Sequence, residues 1–143
     1  MKIQDVLPNV IVDNGQYQFK NIFYKYNLVE DLEDKYLQVY NISDGQMLED
    51  ISYEMYDDPI YYWTIIIVNN ITDPIFDLPL PEESIQEIAR DQSYVNGSLD
   101  LNLYSTNYDT MSTENDTKRN IKVIKREYLS QFLTEIIKRS VNA

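Results

Sequence analysis

The chain has 143 residues, enough for one domain, and its 24 acidic residues against 12 basic ones give a net charge of −12. This charge argues against non-specific binding to nucleic acids or anionic membranes, because affinity for phosphate comes mainly from Lys and Arg. Histidine and cysteine are both absent, which excludes disulfides, thiol nucleophiles and the usual ligands of transition metals.

The basic residues are unevenly distributed along the chain. Residues 1–117 hold 5 Lys or Arg and 22 Asp or Glu, whereas residues 118–143 hold 7 basic and 2 acidic residues. We expect the basic end to dock on an acidic surface of this chain or of a partner. The alternative is an arm that binds nucleic acid. No apolar run is long enough to span a membrane, and residues 1–8 do not resemble a secretory signal.

Residues 1–35 are predicted to form an N-terminal arm. Residues 1–15 look irregular and end at the turn signal Asn14-Gly15. The aromatic segment (residues 17–26) follows, and its ring positions match neither the strand period nor the helix period. We therefore expect this segment to lie against another surface.

The next part of the chain predicts one strand and two helices. Residues 36–42 are rich in β-branched and aromatic residues and stop at Ser43-Asp44-Gly45, which is typical of a strand entering a turn. Residues 47–56 show helical spacing. Residues 60–69 follow Pro59 and are apolar nearly all round, which predicts a buried helix.

The C-terminal half predicts a third helix at 79–90 and a polar loop at 91–118, with a β-ribbon at 98–104 as one alternative. A second strand is expected at 121–125. The helix predicted at 127–139 is amphipathic, and its apolar positions are Leu129, Phe132, Leu133, Ile136 and Ile137.

Carboxylates are the candidates for catalysis or ion binding. A glycosidase needs two of them, and Asp57, Asp58 and Asp73 flank the second helix. The alternative is that they cap helices and turns. Asp100, Asn102 and Asp109 suggest a weak cation site, or else a solvated loop. Weighing these, we predict no catalytic residue, no cofactor and no metal.

Residues 40–52, YNISDGQMLEDIS, resemble the opening of LysM modules, and residues 56–74 fit the continuation of that pattern. Two helices would then cover a short antiparallel sheet. LysM modules return to a second strand soon after Asp-Pro, so we expect residues 121–125 to supply it after an insertion at about 75–119. The residues assigned to this LysM-like core are Tyr40, Ile42, Gly45, Leu48, Ile51, Pro59, Trp63, Ile67, Asn69, Asp73 and Pro74.

The interrupted arrangement resembles the LysM-like baseplate wedge protein of contractile-tailed bacteriophages. The motifs that carry the resemblance are FKNIFYKY at 19–26, DPIYYW at 58–63, NNITDP at 69–74 and IKVI at 121–124. It implies an α+β fold with an arm at 1–35, the LysM-like core at 36–127 and a C-terminal helix at 128–143. The inserted part would hold a helix and a long loop.

The resemblance also implies a structural protein of the virion, without enzymatic activity. Such a protein joins other wedge, hub or sheath proteins in many copies of a symmetric baseplate, and it resides in the host cytoplasm during assembly. The expected partner-interface residues are Phe19, Ile22, Phe23, Tyr24, Tyr26, Phe132 and Ile136. For the C-terminal helix, packing within the chain is the alternative. The rival function is a LysM-type module that binds peptidoglycan or N-acetylglucosamine polymers.

Overall fold

The computed structural model describes residues 9–12, 17–20 and 34–141, with side chains described for residues 34–138. The fold is α+β, as predicted. Its helices are α1 (Leu48–Tyr56), α2 (Tyr62–Val68), α3 (Pro74–Asp77), α4 (Glu82–Asp91), α5 (Leu101–Asp116) and α6 (Leu129–Val141). Its strands are β1 (Asn9–Val12), β2 (Tyr17–Lys20), β3 (Leu37–Asn41), β4 (Tyr94–Val95), β5 (Ser98–Leu99) and β6 (Asn120–Ile124).

The strands pair in three two-stranded sheets, β1 with β2, β3 with β6, and β4 with β5. At one end of the β3–β6 sheet the Ile42 N–H donates to the Arg119 carbonyl, and at the other the Lys125 N–H donates to the Tyr36 carbonyl, both at 2.9 Å. These bonds make the sheet antiparallel. The prediction that residues 121–125 pair with the first strand of the core is confirmed.

The four helices predicted from the sequence are all present, and each begins one to three residues later than predicted. Short 3₁₀ turns at Pro59–Tyr61 and Arg126–Tyr128 account for the late starts of α2 and α6. The prediction of an irregular segment at 1–15 is wrong for residues 9–12, because they form a strand in register with residues 17–20.

The chain forms two compact units. Unit one comprises residues 1–38, 48–70 and 122–143, and unit two comprises residues 39–47 and 71–121.

The core of unit one is built around Trp63, whose side chain is fully buried. It packs with four other buried side chains from α2, β6 and α6, which are Val68, Ile124, Phe132 and Ile136. The apolar character of α2 on all sides is explained by this packing, since helix and strand both press against it. Burial of a side chain as large as Trp stabilises a fold by about 3–5 kcal/mol relative to Ala.

Two polar side chains of unit one attach α1 and α2 to β6. The buried Tyr56 hydroxyl, at the end of α1, donates to the Ile124 carbonyl at 2.6 Å. The Asn69 side chain, just after α2, donates to the Lys122 carbonyl at 2.7 Å and accepts from the Lys122 N–H at 2.9 Å. Asn69 therefore satisfies the backbone of β6 as a neighbouring strand would.

Unit two pairs α4 with α5, and the prediction of a loop at 91–118 is wrong. Residues 101–116 form the longest helix among the described residues, and a short hairpin, β4 with β5, precedes it. Asp100 is the N-cap of this helix, and its carboxylate accepts hydrogen bonds from the backbone N–H groups of Asn102 and Leu103.

Polar contacts rather than an apolar stripe hold α5 in place. The Asn107 side chain donates to the buried Ser93 hydroxyl at 3.0 Å, and the Tyr108 hydroxyl donates to the Glu82 carboxylate at the start of α4. Buried Asn115 accepts from the Leu80 N–H at 2.7 Å and donates to the Leu80 carbonyl at 2.9 Å. A segment rich in Ser, Thr and Asn is typical of a loop. Here the side-chain hydrogen bonds of Asn107 and Asn115 stabilise the helical conformation instead.

Replacement of Tyr56 by Phe tests the attachment of α1 to β6. Burial raises the pKa of Tyr56 from its ordinary value of 10.0 to about 12, so the folded state favours the neutral hydroxyl. The stability that this burial provides is fully present below pH 10 and is lost as the pH rises towards 12. We expect Tyr56→Phe to lower the free energy of unfolding by about 1–3 kcal/mol at neutral pH, because the Ile124 carbonyl loses its donor. As the pH rises from 10 towards 12, the wild type loses this advantage and the difference shrinks. Urea denaturation across that range measures it, and Tyr53→Phe on the exposed face of α1 is the control.

Replacement of Asn115 by Ala tests the polar packing of unit two. The change leaves the two partly buried Leu80 backbone groups without the Asn115 amide. We expect it to lower the free energy of unfolding by about 1–3 kcal/mol, since each of the two lost hydrogen bonds contributes about 0.5–1.5 kcal/mol. Asn102→Ala, at an exposed position of the same helix, should change it by less than about 0.5 kcal/mol. Equal stability losses in the two variants, measured by urea denaturation, would contradict the role assigned to Asn115.

Candidate interaction surface

The two carboxylates of unit one that were considered for catalysis, Asp57 and Asp58, both have partners within the chain. Asp58 precedes the 3₁₀ turn that begins at Pro59 and accepts a hydrogen bond from the Ile60 N–H at 2.9 Å. Asp57 adopts a positive φ of 60°, which ends α1, and its carboxylate forms an ion pair with Arg126. The capping alternative therefore holds for Asp58, whereas Asp57 serves as a turn residue and an ion-pair partner.

The carboxylate considered in unit two is also a cap. Asp73 accepts from the Ile75 N–H at 3.0 Å at the start of α3. Asp77, at the other end of α3, accepts from the backbone N–H groups of Asp73 and Thr72. These bonds to the charged form lower the pKa of Asp77, with the Asp73 bond contributing most. Asp73 and Asp77 thus hold the two ends of one helical turn together.

The three residues considered for a cation site do not form one. Asp100 caps α5, and Asn102 takes part through its backbone N–H, which cannot bind a cation. Asp109 lies in an exposed position along α5. Within the described part of the chain, no group of three Asp, Glu, His or Cys residues is placed to hold a metal ion.

Six residues assigned to the LysM-like core lie in unit one. Ile51 of α1 and Trp63 of α2 are fully buried, and Leu48 and Ile67 are partly buried. The remaining two residues lie at the ends of helical elements. Pro59 begins the 3₁₀ turn before α2, and Asn69 follows the last residue of α2 and binds the backbone of Lys122.

Five residues assigned to the LysM-like core lie in unit two. Ile42 is buried, and its carbonyl accepts a hydrogen bond from the Arg119 guanidinium at 3.1 Å. The Tyr40 hydroxyl accepts from the Gln46 amide at 2.7 Å. Gly45 has a φ of 72°, a left-handed conformation that favours glycine in the turn after β3. Asp73 and Pro74 form the start of α3.

The predicted interface residues fall in two places. Phe19 lies on β2, where only the backbone is described, and Ile22, Phe23, Tyr24 and Tyr26 lie outside the described residues. Phe132 and Ile136 are buried in the core of unit one, which is the alternative that the sequence left open. A contact of α6 with another chain therefore has to use other side chains of this helix.

Basic residues of the C-terminal segment pair with acidic residues of the same chain. The pairs among the described residues include Arg119 with Asp116 at 3.0 Å, Lys122 with Asp34 at 3.3 Å, Arg126 with Asp57, and Lys138 with Glu135 at 3.9 Å. Most of these side chains are well exposed, so each pair contributes only about 0–1 kcal/mol. Their main effect is to neutralise part of the acidic surface.

A groove in unit one joins side chains that are distant in sequence. Its volume is about 450 Å³, and it is lined by Tyr56, Tyr61, Arg126, Leu129, Ser130, Leu133 and Thr134. The rings of Tyr56 and Tyr61 meet edge to face, with centroids 6.2 Å apart. Sequence reasoning missed this groove because it arises only when the end of α1 and the start of α6 come together.

Large apolar side chains remain exposed in both units, and more of them lie in unit two. In unit one Tyr53 of α1 is 62% exposed. In unit two the exposed residues include Ile75 and Phe76 of α3, Tyr94 of the hairpin and Leu101 of α5. Adjacent exposed apolar residues such as Ile75 and Phe76 are candidates for contacts with other proteins.

None of the helices within the described residues is both long and apolar enough to cross a membrane.

Comparison with known protein families identifies the family to which the chain belongs. A search of curated proteins finds no match. The family model of base plate wedge protein 53 matches residues 7–104, which is more than half of the chain and includes α1, α2 and α4. The chain therefore belongs to the base plate wedge protein 53 family and is a structural component of the bacteriophage tail baseplate.

Proposed function

We propose that this protein docks neighbouring baseplate proteins through its LysM-like core, residues 36–127, and catalyses no reaction. The partners are other wedge, hub or sheath proteins, and docking begins in the host cytoplasm during assembly. In this proposal the arm at 1–35 and the helix at 128–143 extend the docking surface on either side of the core.

The observation that supports a role without catalysis is that each candidate carboxylate is already bound by another group of the same chain. Asp58 and Asp73 each cap a helical turn, and Asp57 pairs with Arg126. A general acid or base has to exchange a proton with a substrate, and a carboxylate that is already engaged by a backbone N–H or by an Arg side chain is a poor choice for that role. What the core presents instead is a surface for contacts.

The exposed face of α1 is the part of the core best suited to docking. Tyr53 lies in the middle of this face, and α1 carries Glu49, Asp50 and Glu54 without any basic residue. Tyr is among the residues that contribute most to binding at interfaces, because it combines a large apolar ring with a hydroxyl group. The surrounding carboxylates favour a partner surface that carries Lys or Arg.

Replacement of Tyr53 by Ala tests the docking role of α1. A phage lacking the gene for this protein is complemented with the variant, and the yield of infectious particles is counted. If Tyr53 contributes about 2 kcal/mol to docking, the affinity falls about 30-fold. We then expect fewer assembled baseplates in electron micrographs and a lower particle yield.

The matched control for this experiment is Tyr94→Ala, which removes an exposed Tyr from the hairpin of unit two rather than from the core helices. We expect a particle yield close to that of the wild type. A loss of yield with Tyr94→Ala but not with Tyr53→Ala would contradict docking through α1. Retention of the wild type on insoluble peptidoglycan would instead support the rival function of glycan binding.

Replacements of Asp58 separate a capping role from a catalytic one. Asn caps a helix about as well as Asp, so Asp58→Asn should leave both stability and particle yield unchanged, whereas Asp58→Ala should lower the free energy of unfolding by about 1 kcal/mol. Urea denaturation and complementation measure the two effects. A fully stable Asp58→Asn variant that yields no particles would contradict the proposal, since only a chemical role distinguishes the carboxylate from the amide.

A further inference from the structure

The hairpin formed by β4 and β5 closes through a loop of two residues, Asn96 and Gly97. Val95 lies opposite Ser98 in the pairing of the strands, so no other residue belongs to the loop. The φ angles of Asn96 and Gly97 are 49° and 78°, which is typical of the type I′ turn that Asn-Gly favours. In this turn the closing hydrogen bonds join the two flanking residues and leave the Gly97 N–H out. Both loop residues are exposed, so the Gly97 nitrogen is accessible to water and base.

An exposed Asn that precedes Gly can react with its own backbone. Base removes the proton of the Gly97 N–H, and the nitrogen attacks Cγ of Asn96. The new C–N bond forms as the bond from Cγ to the side-chain nitrogen breaks, and this nitrogen takes up a proton and leaves as ammonia. Water then opens the cyclic imide at either carbonyl. Attack at Cγ gives Asp, whereas attack at the backbone carbonyl gives isoaspartate, in which the main chain runs through the former side chain.

Two features of this loop favour the reaction at Asn96. Gly97 has no Cβ, so nothing on the attacking residue hinders the approach of its nitrogen to Cγ. Ring closure also requires rotation about the bond from Cα to the carbonyl carbon of Asn96, and a hairpin of two residue pairs opens at little cost to allow it. All other Asn residues within residues 34–138 precede a residue that carries a Cβ.

Asn70 is a matched comparison within the same chain. It is exposed like Asn96, and its φ of 51° is also left-handed. The residue that follows it is Ile71, whose β-branched side chain crowds the attacking nitrogen. The two Asn residues therefore share exposure and backbone conformation but differ in the residue that supplies the nucleophile.

The loop lies between two residues that hold the start of α5. The Asp100 N–H donates to the Ser93 carbonyl at 2.9 Å, and the Asp100 carboxylate caps the helix through the N–H groups of Asn102 and Leu103. Loop length fixes the register of a hairpin. Isoaspartate adds one atom to the main chain of the loop, so we expect it to displace Asp100 from Ser93 and to weaken the cap.

We propose that Asn96 converts spontaneously to Asp and isoaspartate, with the Gly97 nitrogen as the nucleophile, and that the isoaspartate form loosens the start of α5. The reaction needs only water and base, and it proceeds without a docking partner. A component of the tail baseplate is not renewed by synthesis once the virion is assembled. The modified form therefore accumulates with the age of the particle.

Incubation of the purified full-length protein in mildly alkaline buffer tests the reaction. Mass spectrometry of proteolytic peptides detects the exchange of the amide for a carboxyl group, and chromatography against synthetic peptides separates Asp from isoaspartate. We expect the modified fraction at Asn96 to exceed that at Asn70 at least about tenfold, since a difference of about 1.4 kcal/mol in the barrier has this effect. Asn96→Gly is the blocked variant, because Gly-Gly also forms the type I′ turn. Thermal denaturation checks that this variant folds.

Amide hydrogen exchange tests the effect on α5. In the isoaspartate form, separated from the incubated wild type, we expect the protection of the Leu103 N–H to fall about fivefold, which is the effect of losing a helix cap. The Asn96→Gly variant, incubated in the same way, should keep its protection. Asn96→Asp should keep it as well, because this change adds the charge of the product without lengthening the main chain.

Three outcomes would overturn the proposal. Equal modified fractions at Asn96 and Asn70 would show that Gly97 does not favour the reaction. Modification confined to Asn14-Gly15, the other Asn-Gly pair of the chain, would show that the hairpin prevents ring closure. Unchanged protection of the Leu103 N–H in the isoaspartate form would show that the start of α5 does not depend on the length of the loop. Docking through α1 is tested separately by the Tyr53→Ala experiment.

Discussion

The pairing of β6 with β3 is the interaction on which the rest of this chain depends, because it joins two segments separated by the whole insertion. The side chains of Asn41 and Asn120 meet at 2.9 Å across a separation of 79 residues. Closing so long a stretch of chain costs conformational entropy, and a two-stranded sheet is only marginally stable by itself. The sheet therefore needs support from side chains outside it.

That support comes from polar and apolar contacts that converge on β6. Asn69 binds both backbone groups of Lys122, and Tyr56 donates to the carbonyl of Ile124, so both helices of the core reach the same strand. The side chain of Ile124 packs with Trp63 and with the buried residues of α6. The C-terminal helix is thus part of the core of unit one, and only its remaining side chains are available to other proteins.

The elements that sequence predicted well are those whose pattern follows from burial. The apolar residues of α2 and α6 meet in one buried cluster that includes Trp63, Phe132 and Ile136. The pairing of β6 with β3 was expected from the resemblance to an interrupted LysM module, and the structure shows this pairing. Helix α5 was missed because few of its residues are apolar. Its position depends on hydrogen bonds such as those of Asn107 and Asn115, whose partners Ser93 and Leu80 lie elsewhere in the sequence.

Asparagine illustrates why part of the site could not be predicted. Asn69 and Asn115 each bind the N–H and carbonyl of a single residue, in unit one and unit two respectively. In the sequence both lie beside Asp, Thr or a second Asn, a composition typical of turns. The amide carries one acceptor and two donor hydrogens, so it can satisfy a strand edge or a loop, and only the fold decides which. The groove was missed for a related reason, since its two sides come from α1 and α6.

The distribution of charge limits which partners the protein can bind. Arg119, Lys122 and Arg126 are already paired with carboxylates of the same chain, so the basic C-terminal segment lowers the acidity of its surroundings more than it attracts an acidic partner. The first 117 residues still carry 22 acidic side chains against 5 basic ones. Like charges across an interface oppose association by several kcal/mol, roughly, and slow the encounter as well. A partner that covers this surface must therefore supply Lys or Arg.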